Sequence, residues 1–301
     1  HDKNIFEIFL YSFTRKEDFY TNKLKNLGCI FKDIKDFNEI QTKELVRSDN
    51  LNIAIDLMGY TGNNRYFIFR NRIAPIQINY LGFPGTMGSK FYDYIIGDKL
   101  IIPKKDERFY TEKVLRLKNY FPPNTCGGII SPEVSVSKKD FRISDNTFIF
   151  ACFNDNKKIT PKEFDIWMNL LYKIKDSILW LSKSNNLSVI NLKRAAEKRN
   201  INPDRIIFGE RLKKKEEHLA RYKISDLGLD TFNYNGHTTT SDALSMGLPI
   251  LTKTGKSFAS RVAASILNSF DLNDLITTSE KEYKEKALYL AQNRDEILKF
   301  K

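Results

Sequence analysis

NGHTTTSDAL, residues 235–244, follows the apolar run DLGLD at residues 226–230 and leads into SMGLPILT at residues 245–252. A β-rich run, a polar loop and an amphipathic stretch in this order predict a strand, a loop and a helix, the unit from which parallel sheets are built. In open parallel sheets, ligands bind where the strands end and the helices begin. The stretch therefore indicates both a fold class and a place to look for a site.

The side chains of this loop suit an anion. The helix is predicted to begin at about Thr239, and the free amides and positive dipole end of a helix start attract negative charge. Thr238 and Thr239 add hydroxyl donors, and His237, one of only three histidines, adds an imidazole N–H. Asp242, one turn further, suits the two hydroxyls of a ribose. The alternative is an ordinary threonine N-cap beside a hydrogen-bonded histidine, and this segment alone leaves both open.

The same alternation of strands and helices runs along the whole chain. Predicted strands lie at residues 6–13, 30–34, 52–57, 75–81, 93–97, 114–117, 147–153, 178–181, 205–208, 227–230 and 249–251. Predicted helices lie at residues 17–27, 38–47, 65–72, 161–174, 188–199, 215–222, 239–246 and 259–268, with a helical tail from residue 279. The pattern predicts an α/β protein with two Rossmann-like domains, at residues 1–120 and 137–301, joined by a Pro- and Gly-rich linker at residues 121–136.

Composition narrows the class of protein. The 301 residues are 41% hydrophobic, enough for a buried core, and no apolar run approaches the roughly 18 residues of a membrane helix. Three cysteines without a CxxC spacing fit a reducing cytoplasm and argue against zinc. The net charge of +12 permits nucleic-acid binding. However, the lysines are scattered among acids, and a basic chain equally suits a small anionic ligand.

Two further segments carry polar side chains near predicted strand ends. In RLKKKEEHLARY, residues 211–222, Lys215, His218 and Arg221 fall at i, i+3 and i+6, close to one helical face. Such a face could stack His218 on a base, whereas a solvated basic helix is the plain alternative. In CFNDNKKITP, residues 152–161, Lys158 lies between a strand and a helix that starts at Pro161. A lysine there could neutralise a leaving diphosphate, although lysines before helices are common.

Glycine-bearing loops follow two strands of the first domain. They read DLMGYTGNNR, residues 56–65, and YLGFPGTMGS, residues 80–89. Their glycines permit a backbone to approach a ligand closely, and turn punctuation is the alternative. The chain contains no Asp-x-Asp and no paired His/Glu spacing for a metal. A nucleotide-sugar enzyme built from it would have to stabilise its leaving group with protein cations.

Taken together, these segments resemble the catalytic region of the O-linked N-acetylglucosamine transferase family. The resemblance is collinear and nearly chain-wide. It includes IDLMGYTGNNR, APIQINYLGFPGTMGSKFYDYIIGDK, the FN and KKI residues of 153–159, KKEEH, LDT and YNGHTTTSDAL, GLPILT and SFASRVAAS. It implies a GT-B fold and an inverting transfer of a sugar from a UDP-sugar, without a metal or other cofactor, to Ser or Thr of a protein acceptor.

The resemblance also implies roles for single residues. Lys158 resembles the lysine that stabilises the UDP leaving group. Lys215 and Asp242 resemble ribose contacts, and His218 and Arg221 resemble uracil contacts. The diphosphate cradle corresponds to His237, Thr238 and Thr239. The sugar and acceptor pocket corresponds to Thr61, Leu81, Gly82 and Pro84.

The chain departs from the family pattern in several places. Asp155 stands where animal members carry a glutamine near the phosphates, and a carboxylate there could repel the donor. The family's first strand and its histidine-containing loop would precede His1, so the N-terminal domain is expected to be incomplete, with the general base and the tetratricopeptide repeats upstream. The last helices are expected to be truncated. The large insert between the domains of animal members is lacking, which favours a bacterial type.

Three functions remain open at this stage. The first is transfer of N-acetylglucosamine to Ser or Thr. The second is a related transfer, such as glucose to asparagine, because donor-pocket residues do not separate the sugars. The third is a non-catalytic module that binds a UDP-sugar, which Asp155 favours, or a nucleic-acid binder that uses the net charge of +12. We expect no membrane partner and no nucleic acid.

Overall fold

The computed structural model describes residues 1–118, 136–210, 212 and 214–301. Apart from Val136, the predicted linker at residues 121–136 lies outside these ranges. The chain divides into two compact units. One comprises His1–Ile95 with Thr111–Lys113, and the other comprises Ile96–Tyr110 with Val114–Lys301.

The first half of the chain alternates strands and short helices. The elements are β1 (Phe9–Ser12), α1 (Phe19–Lys25), β2 (Ile30–Asp33), α2 (Glu39–Ser48), β3 (Ile53–Asp56), α3 (Phe67–Arg70), β4 (Ile76–Asn79), β5 (Tyr94–Gly97) and β6 (Lys113–Arg116). Strands β1 and β2 pair in parallel, as do β3 with β4 and β4 with β5. A four-stranded sheet has the order β3-β4-β5-β6.

The second unit contains a six-stranded sheet with helices between its strands. The elements are β7 (Phe148–Cys152), α4 (Pro161–Lys173), β8 (Ser177–Ser182), α5 (Asn186–Glu197), β9 (Ile206–Gly209), α6 (Lys215–Lys223), β10 (Leu227–Leu229), α7 (Thr238–Ser245), β11 (Ile250–Lys253), α8 (Val262–Ser269), β12 (Ile276–Thr277), α9 (Glu280–Gln292) and α10 (Arg294–Leu298). The strand pairs are parallel. The predicted α/β class is therefore confirmed.

The strand order of this sheet decides where a ligand can bind. It runs β12-β11-β10-β7-β8-β9, which is the Rossmann order. From β7 the chain first adds β8 and β9 on one side, and it then crosses back to add β10, β11 and β12 on the other side. The two strands at the reversal, β7 and β10, are neighbours, and the crevice at their carboxyl ends is the place where such sheets bind ligands. Fold topology thus points to the residues that follow Cys152 and Leu229.

Local sequence explains why the helices begin where they do. The helix α4 starts at Pro161 as predicted, because Thr160 and Glu163 form a capping box around its first turn. Its apolar side packs on the sheet through residues that are almost fully buried, Phe164, Trp167, Leu170 and Leu171. Together with the strand side chains, this face forms the core that holds the strand ends in place.

The observed elements differ from the predicted ones mainly at their ends. The helix predicted at residues 65–72 is the single turn Phe67–Arg70. The helix predicted from residue 259 begins at Val262, because Phe258–Ser260 forms a 3-10 turn inside a capping box made by Ser257 and Ser260. The two-residue strand β12 was not predicted, since so short a run carries no periodicity.

Candidate functional site

Polar side chains meet at the reversal of the second sheet. Asn154 follows β7 and Asp230 follows β10, and the Asn154 Nδ2 donates to Asp230 Oδ1 over 3.1 Å. The same Nδ2 donates to Thr231 Oγ1 over 2.9 Å. Residues 76 positions apart in sequence are thereby joined at the expected edge of the sheet.

Asp230 is the centre of this group. It is only 2% exposed, and its carboxylate accepts hydrogen bonds from Thr231 N at 2.9 Å, Gly236 N at 2.7 Å and Thr252 Oγ1 at 2.6 Å. Burial raises the pKa of the carboxyl to about 6, against the effect of these donors. At neutral pH it is therefore a buried carboxylate that ties the ends of β10 and β11 to the 231–237 loop.

The helix α7 begins at Thr238, and its N-cap residue is His237, whose side chain makes no capping bond. The threonine N-cap alternative is therefore wrong. Thr239 Oγ1 instead donates to Asn154 Oδ1 over 2.6 Å, and Thr240 Oγ1 donates to Gly236 O over 2.8 Å. Because no side chain caps the first turn, its amides suit an anionic ligand. Thr238 is exposed at this end.

His237 is held differently from the sequence-based expectation. Its Nε2 lies 3.2 Å from the carbonyl oxygen of Ala259. A carbonyl only accepts, so this nitrogen carries the hydrogen in the neutral ring. Burial lowers the pKa of the imidazole to about 4. The ring N–H that we expected to donate to a phosphate is thus engaged within the protein, and an anion would meet the helix end that His237 caps.

Lys158 reaches the same loop from the other strand. It ends a 3-10 turn, Asn156–Lys158, and its Nζ donates to Asn235 O over 3.0 Å. The Nζ also lies 3.9 Å from the centre of the Tyr234 ring. Burial lowers the pKa of this ammonium, and the nearby carboxylate of Asp230 is the largest opposing influence. The structure therefore brings Lys158 to the 231–237 loop, just before α7.

Asp155 is paired within its own turn. Its Oδ2 lies 2.9 Å from Lys157 Nζ, and its Oδ1 accepts from Lys157 N and from Ser184 Oγ. These donors hold the pKa of the Asp155 carboxyl below its usual value despite partial burial. The negative charge that we expected to repel an anionic donor is therefore partly offset by Lys157.

The helix α6 carries the three side chains that were predicted to lie close to one helical face. Lys215 Nζ lies 3.6 Å from Asp242 Oδ1, which joins α6 to α7. The His218 ring packs edge-on against Phe153 and Tyr222, at centroid distances of 5.8 and 5.4 Å. Burial lowers the pKa of His218. A fully solvated helix is therefore ruled out for this face.

Arg221 is the most deeply buried of these three α6 side chains. It is 4% exposed, and its Nη1 lies so close to Gly209 that a Cβ there would approach it to 2.7 Å. Its buried Nε has no hydrogen-bond partner within the described part of the chain. Buried donors are nearly always paired in folded proteins, so an acceptor supplied by a ligand would remove an energetic cost.

The glycine-bearing loops of the first unit pack against each other. A Cβ on Gly82 would lie 2.2 Å from the carbonyl oxygen of Leu57, so a close backbone contact requires glycine there. Leu81, just before it, has a positive φ of 75°, which is strained for a branched side chain and often marks functional sites. Thr61 Oγ1 donates to Met58 O over 2.9 Å. Gly82 therefore does more than punctuate a turn, and Pro84 lies on the same loop.

The sequence alone indicated no role for Asn154, Asp230, Tyr234 or Thr252. The available signal was weak. Asn154 and Asp230 are polar residues directly after apolar strands, but nothing in the sequence states that β7 and β10 are neighbours. The hydrogen bonds between them follow from the strand order alone.

Two searches of the described residues gave no site. Among residues 1–118, 136–210, 212 and 214–301, no group of three His, Cys, Asp or Glu side chains is arranged to hold a metal ion. None of the helices in these ranges is long and apolar enough to cross a membrane. Cys29 and Cys152 are free thiols.

The chain was compared with known families and curated proteins. The family model described as Glycosyl transferase family 41 matches residues 1–125 and 123–301. A probable UDP-N-acetylglucosamine–peptide N-acetylglucosaminyltransferase, SEC, of Arabidopsis thaliana is 31% identical over 303 residues, which are 99% of this chain and 31% of that protein. The probable enzyme of the same description named SPINDLY, from Oryza sativa subsp. japonica, is 32% identical, over 97% of this chain and 32% of that protein. The chain thus spans about a third of the length of these relatives.

Solved structures agree with the family match. A mutant O-GlcNAc transferase of Thermobaculum terrenum superposes with a TM-score of 0.88 at 29% identity, covering 99% of this chain and 57% of that one. Anabaena HepE, solved in complex with UDP and glucose, has a TM-score of 0.53 at 9% identity, over 97% of this chain and 89% of that one. The second similarity is one of fold alone.

The His237 ring is expected to remain neutral until the pH falls to about 4, because protonation would put a charge in a buried site. NMR titration of the three histidine rings measures this directly, and a His237→Gln variant identifies the resonance. An unfolded histidine protonates near pH 6.5. The unfolded state therefore binds this proton more readily than the folded state, and the free energy of unfolding decreases as the pH falls from about 6.5 to 4. A midpoint near 6.5 in the folded protein would contradict the buried, hydrogen-bonded ring.

Proposed function

Because the chain belongs to glycosyl transferase family 41, we propose that it transfers N-acetylglucosamine from UDP-N-acetylglucosamine to Ser or Thr hydroxyls of protein acceptors. Its fold is the GT-B glycosyltransferase fold that the sequence resemblance implied. Since the chain spans only 31% of its SEC relative, the activity of the whole protein is part of the proposal. We further propose a bacterial type of enzyme that works in the cytoplasm.

One observation supports the proposal more than any other. In the second unit, Lys158, the uncapped start of α7 and the Lys215–Asp242 pair lie around the carboxyl ends of β7 and β10. Cations, amide donors and a carboxylate at the reversal of a Rossmann sheet match the three parts of a nucleoside diphosphate. The buried Nε of Arg221, on the same helix as Lys215, has no partner among the described residues and is available to an acceptor on the ligand.

We assign the parts of UDP to this site from the base outward. The uracil stacks on His218 and takes hydrogen bonds from Arg221. The ribose hydroxyls bind Asp242 and Lys215, which then exchange their 3.6 Å ion pair for contacts with the sugar. The diphosphate binds at the start of α7, where the chain residues are His237, Thr238 and Thr239. Main-chain amides provide most of its donors, because the Thr239 hydroxyl and the His237 ring N–H already have acceptors.

The reaction proposed for this site is an inverting displacement. The acceptor oxygen forms a bond to C1 of the sugar while the bond from C1 to the β-phosphate oxygen breaks, and that oxygen takes the electron pair. Lys158 and the α7 dipole stabilise the charge that develops on UDP. No metal is assigned to this step. The proton leaves the acceptor hydroxyl for a general base that we assign to none of the described residues.

The first unit is proposed to contact the transferred sugar and the acceptor. Thr61, Leu81, Gly82 and Pro84 lie on its two packed loops, and the strained Leu81 supports a specific role there. We retain the division into domains at residues 1–120 and 137–301, with a linker at residues 121–136, as a proposal. It differs from the compact units mainly at residues 96–110, which pack with the second unit through Arg261 and Asp106 at 2.7 Å.

The main alternative within this class is another sugar or acceptor atom, such as glucose on asparagine. The contacts that we propose for the donor involve only its UDP part, so they are the same for either sugar. The non-catalytic alternative rested on repulsion by Asp155, and the ion pair with Lys157 weakens that argument.

Lys158→Ala is expected to lower turnover by roughly a hundredfold or more, while the Kd for the UDP-sugar changes by much less, because the ammonium acts mainly on charge that develops as UDP leaves. Initial rates and calorimetric titration with the UDP-sugar in the absence of an acceptor measure the two quantities. Lys162→Ala, at an exposed lysine of α4 whose side chain is 73% accessible, is the matched control and should leave both unchanged. Unchanged turnover in Lys158→Ala would remove the role of that residue. Failure of the unaltered protein to bind UDP would contradict the whole proposal.

The transferred sugar is expected to be an N-acetylhexosamine on Ser or Thr. Mass spectrometry of a protein acceptor incubated with the enzyme and a mixture of UDP-sugars distinguishes it, because hexose and N-acetylhexosamine additions differ in mass. Fragment ions locate the modified side chain. A hexose on asparagine would replace the proposed function with the related transfer, and an unmodified acceptor with tight UDP-sugar binding would favour the binding module.

A further inference from the structure

Asp230 lies beneath the proposed diphosphate site without belonging to any of its assigned contacts. Four donors from three parts of the chain surround its carboxylate. They are Asn154 Nδ2 at the end of β7, Thr252 Oγ1 on β11, and the main-chain amides of Thr231 and Gly236 in the loop between β10 and α7. An ionised carboxylate can only accept hydrogen bonds. Every group around it is therefore turned so that it donates inward.

This constraint fixes the groups that face the ligand. With its Nδ2 directed at Asp230, Asn154 must present Oδ1 on its other side, where it accepts from Thr239 Oγ1 over 2.6 Å. The amide of Gly236 is pinned to the carboxylate at 2.7 Å, just before the start of α7. A Cβ at Gly236 would lie 2.7 Å from Thr240 Oγ1, 2.8 Å from Thr239 Oγ1 and 3.0 Å from Asn154 Oδ1. The backbone at Gly236 is therefore tightly enclosed and has little freedom to adopt another conformation.

Asp230 also influences the proposed catalytic cation. Lys158 is largely withdrawn from water, and its Nζ donates to the carbonyl oxygen of Asn235, the residue before the pinned Gly236. Burial lowers the pKa of Lys158, and the negative charge of Asp230 is the strongest influence that raises it. The same carboxylate therefore sets the position of the carbonyl that Lys158 contacts and favours its charged form.

We propose that Asp230 is a positioning residue for the diphosphate half of the donor site, acting through Asn154, Gly236 and Lys158 rather than by touching the nucleotide. The inference rests on the proposed function, because it assumes that UDP binds at this site. It separates the site into two halves. The uridine half, on α6 and Asp242, has none of its assigned side chains bonded to Asp230, whereas the diphosphate half depends on it.

Asp230→Asn tests this division, because the new amide NH₂ would face donors that now point at a carboxylate. We expect the Kd for UDP to rise by roughly tenfold or more, since hydrogen bonds to charged groups are lost and their partners are misdirected. The Kd for uridine should stay within about twofold, because its contacts are untouched. Calorimetry for UDP and NMR titration for uridine give both constants.

Asp226→Asn is the matched control. It makes the same substitution just before β10, where Asp226 accepts from Ile149 N over 2.7 Å at the opposite end of the strand. It should leave the difference between UDP and uridine binding unchanged. If Asp230→Asn does not fold, Thr252→Val replaces it. This substitution removes one donor to the carboxylate, keeps the shape of the side chain and should also raise the Kd for UDP.

The outcomes separate this inference from the function on which it rests. A raised Kd for UDP together with an unchanged Kd for uridine supports the positioning role. Equal weakening of both ligands, or full retention of the UDP preference in the variant, overturns it and leaves the proposed function standing. An unaltered protein that binds neither ligand overturns the proposed function and this inference together.

Discussion

The buried carboxylate of Asp230 is the constraint on which the rest of the second unit's site depends. It joins the ends of β7, β10 and β11 where the strand order reverses. A reversal leaves a crevice in any Rossmann sheet, but a crevice alone does not orient donors. Here one acceptor-only group fixes an amide side chain and two main-chain amides, so the fold and the geometry of the site have a common origin.

Cations around this centre are held at some cost. Burial lowers the pKa of Lys158, and it leaves a donor of Arg221 without a partner in the described ranges. Such arrangements are uncommon where only stability matters, since buried polar groups are normally satisfied. A nucleotide that provides phosphates and a base would complete them. These side chains therefore fit the polyanionic nucleotide that we propose as the ligand.

Part of this could be predicted from sequence, for clear physical reasons. Period-two and helical patterns, with Pro161 at a helix start, located the elements because such patterns reflect local geometry. Lys215 and Asp242 were assigned together to the ribose by the family resemblance alone, because the two helices that carry them are separate in sequence. Asp230 could not be recognised, since its partners Asn154 and Thr252 lie 76 and 22 residues away and meet it only through strand order. The engaged ring of His237 was missed similarly, because its acceptor is a distant main-chain carbonyl.

The most direct test of the account is a crystal structure of the protein in complex with UDP. We expect the diphosphate to lie at the first turn of α7, with Lys158 Nζ within hydrogen-bonding distance of a phosphate oxygen, and the ribose hydroxyls to contact Asp242. The hydrogen bonds of Asp230 should be unchanged. A diphosphate bound away from α7, or a uracil base that makes no contact with His218 and Arg221, would contradict the central claim.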